Sequence, residues 1–265
     1  MRYIAALLIS IAVLLAQDAT HPTFEVASIK PTAPGAGGSV LRFAPGGRLI
    51  ITNIPLKTMI ARAFRVLLFQ ISGGPSWLES ARFDVTAVSV NAKQDEMPEM
   101  LQALLADRFQ LVVRRETREL PVYALTLARR DGKLGPNLTA SKAGSCTPRD
   151  PAKPGPPNPQ DPWAPGCGGW IQGGGRFVTK SLPLANILPI FSTLLDRKVV
   201  DKTGLSGNFD IDIQWHDDDD PPADSDPDRP SIFTALQEQL GLKLESQKGP
   251  VEVLVIDRAE KPSGN

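Results

Sequence analysis

The stretch Gly47-Arg48-Leu49-Ile50-Ile51-Thr52-Asn53-Ile54-Pro55-Leu56 returns 128 positions later as Gly175-Arg176-Phe177-Val178-Thr179-Lys180-Ser181-Leu182-Pro183-Leu184, with Gly-Arg kept at its start and Pro-Leu at its end. Further landmarks recur in the same order. Phe83-Asp84 returns as Phe209-Asp210. Leu105, Phe109, Leu111 and Val113 return as Leu236, Leu240, Leu242 and Leu244, and Pro121-Val122 returns as Pro250-Val251, with Leu125 matching Leu254. Chance rarely preserves such an order, so the sequence reads as an internal duplication. The repeated positions are apolar or turn-forming. They specify a fold, and none is an obvious catalytic group.

Each copy carries alternating apolar stretches and helical ones. Residues 24–30 alternate as a half-buried strand does, and residues 48–52 follow a Gly46-Gly47 turn into a second strand. Pro55 then sits in the first turn of a helix bearing Leu56, Ile60, Ala63 and Phe64. Residues 83–90 are a third strand, Pro98 opens a second helix, and residues 111–115 and 122–128 are two closing strands. The second copy repeats strand 177–179, helix 184–195, strand 209–215, helix 231–240 and strands 242–246 and 251–257. The expected fold class is α+β: two tandem related domains, each a mainly antiparallel sheet with two helices on one face. The expected division is a signal peptide over 1–16, a first repeat over 17–140, a Pro/Gly-rich segment over 141–174, a second repeat over 175–260 and a tail over 261–265.

Arg2 precedes an apolar run over residues 4–15, too short for a bilayer-spanning helix and followed by small residues, as in a secretory signal peptide cut after Ala16. Cys146 and Cys167 both lie in the Pro/Gly-rich segment. In an exported protein, two cysteines closing a short loop form a disulfide. The only histidines are His21 and His216, so a metal site at the cysteines lacks partners. Lys+Arg and Asp+Glu both total 29, a balance that gives no electrostatic case for nucleic acid or an anionic membrane.

Asp217, Asp218, Asp219, Asp220, Asp224, Asp226 and Asp228 form an acidic run. Its spacing does not match a calcium loop and prolines interrupt it, so a solvated loop is the favoured reading. Ser231 reads as a helix cap, with no Gly-x-Ser-x-Gly or Ser-x-x-Lys around it. Gly168, Gly169, Gly173, Gly174 and Gly175 read as turn positions, since no Gly-Lys-Ser/Thr opens a helix there. Arg114, Arg115, Arg118, Arg129 and Arg130 with Glu116 and Glu119 read as the charged face of a strand hairpin. Trp77 and Trp215 flank the repeated Phe-Asp strand and read as core. Trp163 and Trp170, on the cysteine-stapled segment, are the candidate ligand-binding pair. No catalytic, cofactor-binding or metal-ligating set is expected.

Residues 24–31 (FEVASIKP), Asn53-Ile54-Pro55-Leu56, residues 74–78 (GPSWL), Arg82-Phe83-Asp84, residues 104–109 (LLADRF) and residues 232–244 together resemble one family. It is an uncharacterised group of exported proteins expanded in soil bacteria, classed as a domain of unknown function. Some relatives carry the domain on the outer side of antibiotic-sensor-type membrane metallopeptidases, which implies a sensory or interaction role. The peptidase itself is not implied, since His-Glu-x-x-His is absent. Residues 235–242 are also similar to the short N-terminal domain of secretins and TonB-dependent receptors, a module of protein contacts. The leading expectation is therefore an exported, periplasmic or secreted, non-catalytic scaffold that meets an envelope protein through sheet edges or a groove. A sensor of a cell-wall fragment or other small ligand, with Trp163 and Trp170 lining the site, is the alternative. A hydrolase with an unrecognised site is the third reading.

Overall fold

A computed structural model describes residues 22–44, 46–90, 92, 93, 95–142, 144, 146, 161–216 and 228–262. The expected signal peptide and the acidic run from Asp217 to Asp226 lie outside the described residues. In chain order the first half runs β1 (Val26–Pro31), β2 (Val40–Ala44), β3 (Arg48–Pro55), α1 (Leu56–Phe64), β4 (Ile71–Gly73), α2 (Trp77–Ser80), β5 (Arg82–Val88), α3 (Met97–Phe109), β6 (Val112–Leu127) and β7 (Leu138–Ala140). The second runs β8 (Trp170–Gly173), β9 (Arg176–Pro183), α4 (Leu184–Leu194), β10 (Val199–Asp201), β11 (Asn208–Gln214), α5 (Ile232–Ala235, continued by a wider turn Leu236–Leu240) and β12 (Leu242–Arg258). The fold is mixed α+β, with largely antiparallel sheets. Its two compact units comprise the described parts of residues 1–65, 75–112 and 258–265, and of residues 66–74 and 113–257.

In the first unit the sheet order is β1-β5-β3-β2, antiparallel throughout. Strand alternation turns Leu49, Ile51, Phe83, Val85 and Ala87 toward the helices, and all are buried. The β3–β5 register breaks between Ile51 and Ile54. Asn53 takes the left-handed conformation there, with φ 55°. That conformation is costly for a residue with a Cβ, and a carboxylate stabilises it: Asp84 Oδ1 accepts the Asn53 N–H at 2.8 Å and the Thr32 hydroxyl at 2.8 Å. Pro55, with φ −63°, sets the entry to α1, which buries Leu56, Met59, Ile60 and Ala63. α3 carries proline in its first turn, buries Met100, Leu101, Leu105 and Phe109, and stops at left-handed Gln110. Phe109 meets Phe83 edge to face at 5.0 Å between centroids.

The second unit contains a sheet of order β7-β11-β9-β8, again antiparallel. Phe209, Ile211 and Ile213 are buried along β11, and Trp215 just beyond it, as the alternation predicts. The β9–β11 register breaks between Phe209 and Ile211, where Ser181 has φ 52°. Asp210 Oδ1 accepts the Ser181 N–H at 2.9 Å and also bonds the Ser141 hydroxyl, while Oδ2 pairs with Lys180. Burial alone would raise the Asp210 pKa. Hydrogen bonds from Lys180, Ser141 and the Ser181 amide outweigh it and hold the carboxyl below its ordinary range. The repeated Phe-Asp therefore has a local structural job: Phe fills the core and Asp fixes the bulge opposite.

A further sheet in the second unit has the order β10-β6-β12-β4. It corrects the expected hairpins. Residues 112–127 are one strand, not two, and so are residues 242–258. Gly249 lies against Val122 and Arg114 against Asp257, so β6 and β12 run antiparallel. Part of the charged face read as a hairpin joins these two strands, since Arg115 pairs with Glu252 and Arg114 with Asp257, while Glu116 takes Arg114 and Arg118 of its own strand. The outer strands are short and parallel to their neighbours. Ile71 of β4 sits opposite Leu254 of β12, and Val199 of β10 sits opposite Tyr123 of β6.

Candidate functional site

The two tryptophans chosen from sequence are not brought together. Trp163 is half-buried, and the Arg176 guanidinium stands 4.7 Å from its ring centre. Arg176 is itself held by Asp212 through two bonds of 2.9 and 2.6 Å, which raise its pKa further. Trp170 lies opposite Thr179, and alternation along β9 places Thr179 and Arg176 on opposite faces of the sheet. Trp170 is half exposed, with its ring 6.1 Å from that of Phe177 on the core side. One tryptophan stacks on the outer face, and the other closes the edge of the core.

The remaining sequence candidates take structural places. Cys146 and Cys167 lie at disulfide geometry, Cα–Cα 5.5 Å, and Gly168 N–H bonds Lys180 O at 2.8 Å just beyond the staple. The Ser231 hydroxyl accepts the Thr234 N–H at 3.3 Å and caps α5. Gly47 has φ 66°, and a Cβ there would fall 1.7 Å from Ser89 O, so only glycine fits this turn. Trp215 is core, whereas Trp77 is half-buried against Phe83 with the Lys261 ammonium 5.8 Å from its ring centre. Among the described residues no group of three or more His, Cys, Asp or Glu is placed to hold a metal, and no helix is long and apolar enough to cross a membrane.

The site that sequence reasoning missed lies in the first unit, along β1. Among the described residues this strand ends its sheet and pairs only with β5. Thr32 N–H bonds Arg82 O, which fixes the phase of the ladder: Lys30, Ser28 and Val26 turn their backbone groups to β5. Ala27 and Ile29 therefore turn theirs to the free edge. Beside that edge a cavity of about 450 Å³ is lined by Ile29, Asp107, Arg108, Gln110, Glu260 and Lys261. A second, of about 170 Å³, is lined by Phe24, Ala27, Ala103, Leu104, Asp107 and Arg108. The two share Asp107 and Arg108, which pair at 2.9 Å, so they form one groove between β1 and α3. Its far wall is fixed, because Glu260 N–H bonds Phe109 O at 2.7 Å and Arg258 holds the Glu260 carboxylate at 2.9 Å.

The second unit supplies the contrast. At the end of the α5 turn, Gly135 N–H bonds Leu240 O at 2.9 Å and Asn137 N–H bonds Gln239 O at 2.9 Å. A turn closed by the Leu138 N–H on Gly135 O then leads into β7. A Cβ on Gly135 would fall 2.3 Å from Gln239 O, so this backbone lies hard against the helix end. There the space between strand and helix is filled by the chain itself. In the first unit the tail at Glu260 and the strand at Ile29 are separate pieces of chain, and the groove lies between them.

A family model described as a protein of unknown function, DUF3738, matches residues 57–259, which spans everything from α1 to the last residues of β12. No curated protein and no solved structure matches the chain. With most of its length under that match, the chain belongs to the DUF3738 family of proteins of unknown function.

Proposed function

We propose that this chain is an exported, non-catalytic binding protein of the cell envelope that works through protein–protein contact at the free edge of β1. The observation that carries the reading is the groove between β1 and α3, where an unpaired strand edge borders open volume. The cysteine pair at disulfide geometry and the signal-like start of the sequence support an oxidising, periplasmic or secreted setting. The two antiparallel sheets, each with an aspartate-fixed bulge, support descent from one duplicated unit arranged as tandem related domains. A role of this domain on the outer side of antibiotic-sensor-type membrane metallopeptidases, as the family resemblance implies, agrees with a contact function.

The test is site-specific photocrosslinking in the native envelope, with the crosslinker at Val26, an exposed β1 residue, and a control at Thr117 on β6. One dominant envelope protein captured from Val26 and not from Thr117 is the expected result. Equal capture from both positions contradicts the reading. The alternative is a periplasmic sensor of a cell-wall fragment. The larger cavity favours it, because about 450 Å³ with charged lining is within the range of small-ligand sites. A thermal-shift screen with muropeptides tests that reading, and a rise in Tm lost in Gln110→Trp is its expected signature.

A further inference from the structure

We infer that the β1–α3 groove takes an extended peptide as an added strand, with a small apolar side chain two residues from a long polar one. This rests on the contact function proposed above and names the occupant. Two observations define it. First, Ala27 and Ile29 present backbone N–H and C=O groups at the free edge, so the edge offers main-chain hydrogen bonds at two positions. Pro31 lacks an N–H, and Lys30 beside it is exposed, so the usable edge stops there.

Second, Ala27 and Ile29 face the core side of the sheet, and each borders one of the two cavities. They are two residues apart, which is the repeat at which a strand returns its side chains to one face. A strand laid along β1 therefore drops one side chain into each cavity. Beside the shared Asp107 and Arg108, the smaller cavity has Phe24, Ala27, Ala103 and Leu104 in its wall, and its volume of about 170 Å³ suits Val or Ala. The larger one adds Gln110, Glu260 and Lys261 to the same pair and suits a long uncharged hydrogen-bonding side chain such as Gln.

The test uses the full mature chain and a fluorescein-labelled heptapeptide, Ser-Thr-Gln-Thr-Val-Thr-Ser, with its reversed-order analogue, read by fluorescence anisotropy. Binding by one of the two orders is expected, weakened at least tenfold when Val is replaced by Asp. Ala27→Pro removes an edge N–H, and Ala103→Met narrows the small cavity without touching the strand. Each is expected to weaken binding at least tenfold with Tm unchanged. Binding that is indifferent to both variants, or to Val→Asp, overturns the assignment. So does the absence of binding by either peptide while Val26 still crosslinks a partner, which would leave the contact function standing with a folded surface as the occupant. Loss of the Val26 crosslink together with peptide binding would sink both.

Discussion

The two antiparallel sheets, β1-β5-β3-β2 and β7-β11-β9-β8, differ most at one edge. Both carry a left-handed residue in a bulge, Asn53 and Ser181, each with its N–H on an aspartate. Both are entered by a strand ending in proline that opens a helix. Before β7 the chain turns hard against the helix end, with Gly135 packed on Gln239. Around β1 two distant pieces of chain meet and leave a groove. The contrast teaches that connectivity, rather than side-chain chemistry, creates the opening. The same local structures close on the helix end where the chain is continuous and border a groove where it is not.

The largest effect expected under this comparison comes from the shared core. Phe83→Ala and Phe209→Ala are each expected to cost about 3–5 kcal/mol, because both rings are buried against the helices. Urea melts of the two variants check it, and a large difference between them would break the equivalence of the sheets. Next, Cys167→Ser should cost about 3 kcal/mol, because the bridge closes a separation of 21 residues. That loss should fall on the second sheet, since Gly168 and Gly169 dock there on Lys180. Hydrogen exchange would locate it.

The aspartates come third. Asp84→Ala and Asp210→Ala each leave a bulge amide without its acceptor and should cost about 1–3 kcal/mol. Asp210 adds a pH signature. Its carboxyl is held below its unfolded value, so its stabilisation is present above the unfolded pKa of about 4 and is lost as pH falls through the folded one. Asp210→Asn should flatten the acid limb of the stability curve, and an unchanged limb would remove Asp210 from the account. The smallest effect is expected at the β6–β12 ladder. Arg115→Ala breaks an exposed pair with Glu252 and should shift stability by less than about 1 kcal/mol.

Much of the architecture was legible in the sequence because burial writes itself as alternation. Residues 83–90 and 209–215 read as strands, and the helices over 98–109 and 184–195 were placed within a few residues. Short strands were not legible. β2, β4, β7, β8 and β10 have three to five residues each, too few for a period to register. β6 and β12 were each read as two strands, 111–115 with 122–128 and 242–246 with 251–257, whereas pairing from a neighbour keeps each strand continuous. The groove was least legible. Ala27, Ile29 and Ala103 carry no chemical signature, and the larger cavity depends on where Glu260, more than two hundred residues from Ile29, comes to rest. The tryptophan pair was picked out by its place on a loop, and the strand phase that puts Thr179, opposite Trp170, and Arg176, the partner of Trp163, on different faces is not written in that loop.

The most direct measurement is residue-resolved amide hydrogen exchange by NMR on the protein alone, comparing Ala27 and Ile29 with Gly135 and Asn137. The account predicts rapid exchange at Ala27 and Ile29, whose N–H groups face an open edge. It predicts slow exchange at Gly135 and Asn137, which donate to Leu240 and Gln239. Protection of Ala27 and Ile29 equal to that of Gly135 would mean that the β1 edge is already covered, and the receptive groove would be contradicted.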